Sequence, residues 1–198
     1  MPGGFVRAGE SVGEAAHREL AEETGARTIT GHLEQLRTYG DPGRDPRMRV
    51  VSVAHIVLAP QLPDPRAGGD AAAARWWQVE DLGLDDTVSP DAPALAFDHS
   101  QILAHALDRV RAKLEYTTLA TSFVKEPFTL ADLRRAYAAV WGNAPDLGNF
   151  RRKVLSTDGF VVQVQRSDAA AGPAGGRRPF LYRRGRATLL RPPMLRPQ

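Results

Sequence analysis

Gly4-Phe5-Val6-Arg7-Ala8-Gly9-Glu10-Ser11-Val12-Gly13-Glu14-Ala15-Ala16-His17-Arg18-Glu19-Leu20-Ala21-Glu22-Glu23-Thr24-Gly25-Ala26 is the stretch on which the reading of this 198-residue chain turns. It opens as a glycine-rich loop. Ser11-Val12-Gly13-Glu14 then has the S-x-x-E form of a capping box, with Ser11 as N-cap and Glu14 reaching back to its amide. Ala15, Ala16, Leu20 and Ala21 favour a helix, and Gly25 is a natural residue to end it. On that helix Glu19, Glu22 and Glu23 stand at i, i+3 and i+4, so three carboxylates share one face. Like charges at that spacing repel. One reading is a solvated acidic face. The other is a site for a hard divalent cation such as Mg²⁺, which prefers carboxylate oxygen and turns the repulsion into binding.

Outward from the acidic helix, the charge divides the chain. Residues 1–110 carry 10 Arg against 17 Asp and Glu, and residues 111–198 carry 16 Lys and Arg against 6 Asp and Glu. An acidic half followed by a basic half suggests two modules with different partners. The asymmetry counts for more than the arginine content, since 23 Arg against 3 Lys is a bias that GC-rich coding alone produces. There is no cysteine, which excludes disulfides, thiolate metal sites and cysteine nucleophiles and fits a cytoplasmic protein. No apolar run approaches the ~18 residues of a membrane span, so no membrane partner is expected. No basic segment followed by an apolar stretch opens the sequence, and no secretory signal is expected.

The fixed positions of the first stretch, Gly4-x5-Glu10-x7-Arg18-Glu19-Leu20-x-Glu22-Glu23-x-Gly25-Ala26, resemble the Nudix box throughout. Seven of these, leaving out the apolar positions Leu20 and Ala26, would match by chance at roughly 1 in 15 each, on the order of 10⁻⁸. The resemblance implies a Nudix fold, an α/β/α sandwich with a mixed sheet. It also implies a loop–helix–loop that binds Mg²⁺ or Mn²⁺ and hydrolyses a nucleoside diphosphate linked to another group. Carried over by position, Glu19, Glu22 and Glu23 are metal ligands and catalytic carboxylates, and Arg18 orients them. Gly4 lets the backbone approach the metal and nucleotide, with Glu10 as a supporting carboxylate. The family has strands before its box, whereas here the box begins at Gly4. The expectation is therefore a start upstream of Met1, the alternative being a truncated product with exposed strand edges.

Downstream, His32 to Tyr39 and Arg49 to Leu58 read as strands, the second apolar enough to be covered on both faces. Gly40 to Pro46 is a turn region, and a longer loop from Pro60 to Ala74 precedes a short strand, Arg75 to Val79. Asp64 and Asp70 in that loop are the candidates for an additional catalytic base, with solubility of the loop as the plainer account. Leu103, Leu107, Val110 and Leu114 form one apolar stripe on a helix from Gln101 to Leu114. His99 and His105 read as ordinary helix residues.

The basic half continues with helical segments at Tyr116–Val124 and from Thr129, the latter with Leu130, Leu133, Tyr137, Val140 and Trp141 on its apolar side. After a turn at Gly142–Pro145, a third helix from Asp146 to Ser156 buries Leu147, Phe150 and Val154 and collects Asn149, Arg152, Lys153 and Ser156 on another face. Phe160–Gln165 and Pro179–Arg184 can pair as a hairpin. This is winged helix-turn-helix organisation, with the third helix entering a major groove and Arg177, Arg178, Arg183 and Arg184 near phosphates. A small helical protein-docking module is the alternative.

Lys113-Leu114-Glu115-Tyr116-Thr117-Thr118-Leu119-Ala120, Phe128-Thr129-Leu130-Ala131-Asp132-Leu133 and Asn149-Phe150-Arg151-Arg152-Lys153-Val154-Leu155 resemble the C-terminal domain of the Nudix-related transcriptional regulators of NAD metabolism, the NrtR family. The resemblance implies an α+β protein whose Nudix domain senses ADP-ribose or a related NAD-derived nucleotide. A homodimer of winged domains would bind double-stranded operator DNA through Asn149, Arg151, Arg152, Lys153, Arg177 and Arg178. The division expected is a Nudix domain over 1–112, a winged domain over 113–186 and a disordered tail over 187–198. The competing reading is a Mg²⁺-dependent hydrolase resembling ADP-ribose pyrophosphatases. Both activities could share one chain, and a relic with neither is the third reading.

Overall fold

Local chemistry sets the first helix. The Ser11 hydroxyl accepts the Glu14 amide at 3.3 Å while the Glu14 carboxylate accepts the Ser11 amide at 2.7 Å. Helix α1 then runs Val12–Thr24 and stops at Gly25, whose φ of 74° is the left-handed conformation that favours glycine. The computed structural model describes residues 1–25, 31–60, 64, 75–84, 93–166 and 179–197. Asp70, Arg177 and Arg178 lie outside the described residues.

Strands β1 (His32–Tyr39) and β2 (Ser52–Leu58) pair antiparallel, from His32 opposite Leu58 to Tyr39 opposite Ser52, with a register shift between Gln35 and Arg37. In β2 only Ile56 and Leu58 are fully buried, so the expected cover on both faces is incomplete. Among the described residues of this half the sheet has these two strands. The expected strand at Arg75–Val79 is absent: the chain there leads into a 3-10 turn, Val79–Leu82. Trp76 and Trp77 are both exposed, so alternation along that run buries neither face and nothing holds it in a sheet. The turn between β1 and β2 is tied down by Arg44. Its guanidinium donates twice to Asp98 at 2.8 Å and once to the Ser52 hydroxyl at 2.7 Å. Helix α2 follows over His99–Tyr116, and the Tyr39 hydroxyl meets its His105 at 3.1 Å.

Two compact units emerge, residues 1–108 and 109–198, with the division inside α2. In the second unit, Thr129 and Asp132 form a capping box that starts α3 (Leu130–Trp141), and the Asp146 side chain caps α4 (Leu147–Ser156). Tyr137 lies at the centre of the core, edge-on to Trp141 at 4.7 Å and to Phe150 at 5.6 Å. Leu114, Phe128, Leu133, Val154 and Phe160 complete this core. The expected segment at Tyr116–Val124 is a short 3-10 turn, Leu119–Phe123. Strands β3 (Val161–Arg166) and β4 (Phe180–Arg184) form the hairpin, and Phe128 pairs with Tyr182 of β4 by bonds of 2.9 and 2.8 Å. Helix, helix and hairpin thus have the winged arrangement.

Two further expectations fail here. Leu147, expected in the core, is 61% exposed, because it sits at the first turn of α4, before the helix meets α3. Residues 187–197, expected to be disordered, are packed. Leu190 and Met194 are buried, and their amides donate to the carbonyls of Tyr116 at 2.7 Å and Glu115 at 2.9 Å. The prolines and arginines that gave the segment a disordered composition are its exposed residues, while two spaced apolar side chains hold it to the core.

Candidate functional site

The acidic helix face is organised around one arginine. Arg18 reaches back over the glycine-rich loop and donates to both oxygens of Glu10, from Nε at 3.1 Å and from Nη2 at 2.6 Å. Nη2 also donates to the Phe5 carbonyl at 3.1 Å, which fixes the loop against α1. Nη1 bonds to Glu19 and, at 3.2 Å, to Glu22 one turn further along. Hydrogen bonds from Arg18, and then from the Arg7 amide at 2.7 Å, lower the Glu10 pKa to about 2. The same carboxylates hold the Arg18 guanidinium well above its ordinary value, Glu10 first and Glu19 second.

The loop closes over the other glutamates. A Cβ at Gly4 would lie 2.2 Å from Glu19 Oε1, so any side chain there would have to displace the carboxylate that Arg18 holds. The Gly3 amide donates to Glu23 Oε1 at 3.4 Å, and Arg7 pairs with Glu22 at 3.5 Å. Gly4, Glu10, Arg18, Glu19, Glu22 and Glu23 are therefore brought together by the turn at Gly9 and the helix that follows.

The donor set, three carboxylates plus the glycine cradle, has the oxygen chemistry that a hard divalent cation takes, and in that respect the residues fit one. Among the described residues, no three acidic or histidine side chains converge on a point where an ion would sit. Arg18 and, at its edge, Arg7 are the cations paired with this face. Asp64 is exposed. His99 and His105 join no metal-ligand cluster: His99 stacks edge-on to Phe97, with its pKa lowered by burial, and His105 packs on Tyr39. The Arg44–Asp98 clamp was missed from sequence, since an arginine in a turn carries no signal of a partner 54 residues away.

In the second unit, α4 buries Phe150 and Val154 and leaves Asn149, Arg151, Arg152 and Ser156 exposed. Arg152 donates to the Asn149 side chain at 2.5 Å, and the Lys153 ammonium donates to the Pro192 carbonyl. Arg183 and Arg184 are exposed on β4. No helix among the described residues is long and apolar enough to cross a membrane.

Comparison with known proteins matches both halves. Residues 1–97 match the NUDIX domain, and residues 120–183 match the NrtR DNA-binding winged helix domain. Over 187 residues the chain is 32% identical to the ADPR responsive transcriptional repressor NtrR of Acinetobacter baylyi, covering 92% of this chain and 68% of that protein. A shorter match, 40% identical over 105 residues, is to the ADP-ribose pyrophosphatase of Methanocaldococcus jannaschii, covering 52% of this chain and 53% of that enzyme. Among solved structures, Shewanella oneidensis NrtR complexed with a 27mer DNA superposes with a TM-score of 0.68 at 27% identity, over 95% of this chain and 84% of that one. Fold and site thus define a Nudix domain followed by a winged helix. The chain belongs to the NrtR family of Nudix-related transcriptional regulators.

Proposed function

We propose that this chain is a nucleotide-responsive transcriptional repressor that binds ADP-ribose or a related NAD-derived nucleotide through its first unit and operator DNA through its second. The observation that carries the reading is the exposed arginine-rich face of α4 on a winged scaffold, in the same chain as the Arg18-centred carboxylate cluster. Similarity to an ADPR responsive repressor over both halves supports it. Asn149, Arg151 and Arg152 would face base edges and phosphates, with Arg177 and Arg178 as further contacts. The DNA-binding form would be a homodimer in the cytoplasm, matching the two-fold symmetry of such operators. Its two domains would meet within α2, the second including residues 187–197, and α2 would carry the nucleotide signal between them.

Reversing Arg151 and Arg152 to Glu tests this reading. Duplex DNA binding should fall at least about a hundredfold at ~0.1 M salt, while ADP-ribose binding measured by calorimetry stays unchanged. Loss of both would sink the modular reading.

A second reading, hydrolysis of the bound nucleotide, is favoured by one observation: Glu19, Glu22 and Glu23 are all present beside Gly4. Those three would hold Mg²⁺ or Mn²⁺, which neutralises pyrophosphate oxygens and acidifies a bound water. Arg18 keeps Glu10 ionised and, through its bonds to Glu19 and Glu22, holds the carboxylates in place. Replacing Glu22 and Glu23 with Gln should lower Mg²⁺-dependent turnover of ADP-ribose about a hundredfold or more. Turnover that persists in this variant would reject the metal assignment.

A further inference from the structure

Residues 187–197 do more than cover the core of the second unit. The Thr118 hydroxyl donates to the Ala187 carbonyl at 2.6 Å and the Thr118 amide to the Thr188 carbonyl at 3.2 Å, and Arg196 pairs with Glu115 at 3.8 Å. With Leu190 and Met194 buried between these ties, the segment is held to the end of α2 and the residues that follow it. Lys153 closes the arrangement by donating to the Pro192 carbonyl. The result is a groove of about 700 Å³ with α4 as one wall, through Asn149, Arg152 and Lys153, and this segment as the other, through Arg191, Pro193 and Leu195.

The charge of the groove is one-sided. Arg152, Lys153 and Arg191 line it with one carboxylate, Asp146, whose oxygen is already engaged in capping α4 at the Asn149 amide. Arg196 is committed to Glu115, and Lys153 to a backbone carbonyl. Arg191 is exposed and has no acidic partner among the described residues. A guanidinium held beside a DNA-reading helix, on a segment anchored at both ends, is placed to meet a phosphate. The apolar walls at Pro193 and Leu195 suit the sugar face of the same strand.

We propose that residues 188–197 form a second DNA-contacting element beside α4, with Arg191 as a phosphate-binding residue and the flanking strand of the duplex as the occupant of the groove. This rests on the DNA-binding reading given above. Lys153, on this view, is a positioning residue: its ammonium fixes the segment at Pro192 and so fixes where Arg191 points.

The test uses the full chain and an arbitrary-sequence duplex of about 30 base pairs, since phosphate contacts are independent of sequence. Anisotropy titrations across a range of salt concentrations compare the unaltered protein with Arg191→Ala, Arg191→Lys and Arg152→Ala. In the homodimer Arg191→Ala removes one phosphate contact per protomer, so it should reduce the log–log salt slope by about 1.8 and weaken binding about sixtyfold at ~0.1 M salt. The expected result is that loss for Arg191→Ala and restoration of the slope by Arg191→Lys, with melting temperature and ADP-ribose affinity unchanged. If Arg152→Ala lowers the slope while Arg191→Ala matches the unaltered protein, the second element is rejected and DNA binding by α4 stands. If the unaltered protein does not bind the duplex at all, the DNA-binding reading falls and this proposal with it.

Discussion

Arg18 decides the electrostatics of the first unit. It stands between Glu10 and Glu19, and its hydrogen bonds are the main reason the Glu10 pKa drops from 4.5 to about 2. A carboxylate whose folded pKa is depressed adds stability that is fully present above its unfolded value and is lost as pH falls through the folded one. The window is therefore about pH 4.5 down to about 2. Arg18→Gln removes the strongest donor, and the Glu10 pKa should rise toward 4.5, moving acid unfolding to higher pH. Carboxyl chemical shifts followed by NMR through the titration check this, and an unmoved Glu10 would contradict the pairing. Glycine carries the other residue-level constraint, at Gly4, where the Glu19 carboxylate occupies the space of a side chain.

At the level of elements, what could be read from sequence was what neighbouring residues determine. The Ser11 and Thr129 caps, the stop at Gly25 and the bounds of β1 are local chemistry, and each was legible. Arg75–Val79 was not, because a strand needs partners and its alternation finds none. Nor was the packing of residues 187–197, where Leu190 and Met194 matter only once Tyr116 and Glu115 offer their carbonyls. The acidic cluster was legible as a motif, while its organisation by Arg18 and the Phe5 carbonyl depended on how the loop folds back. That packing makes a prediction. Leu190→Ala should destabilise the second unit by about 2–5 kcal/mol, read as a drop in melting temperature, whereas a disordered segment would give no change.

For the whole molecule, the acidic and basic halves visible in composition coincide with a carboxylate-rich unit and an arginine-rich one. Charge of this kind acts over distances that salt shortens. The effect of reversing Arg151 and Arg152 on DNA affinity should accordingly be largest at low ionic strength and shrink as salt rises. Composition gave this division but not the α2 residue at which it falls, because the helix passes from one unit to the other without a break in its periodicity.

The guanidinium within the acidic helix face also separates folding from metal supply. Three glutamates at helical spacing would repel one another if left alone. With Arg18 bound to Glu19 and Glu22, and Arg7 to Glu22, part of that repulsion is already offset by the chain itself. Unlike a zinc finger, which unravels when a chelator strips its ion, this domain carries a covalently attached counter-ion, and adding a chelator is expected to leave its melting temperature unchanged.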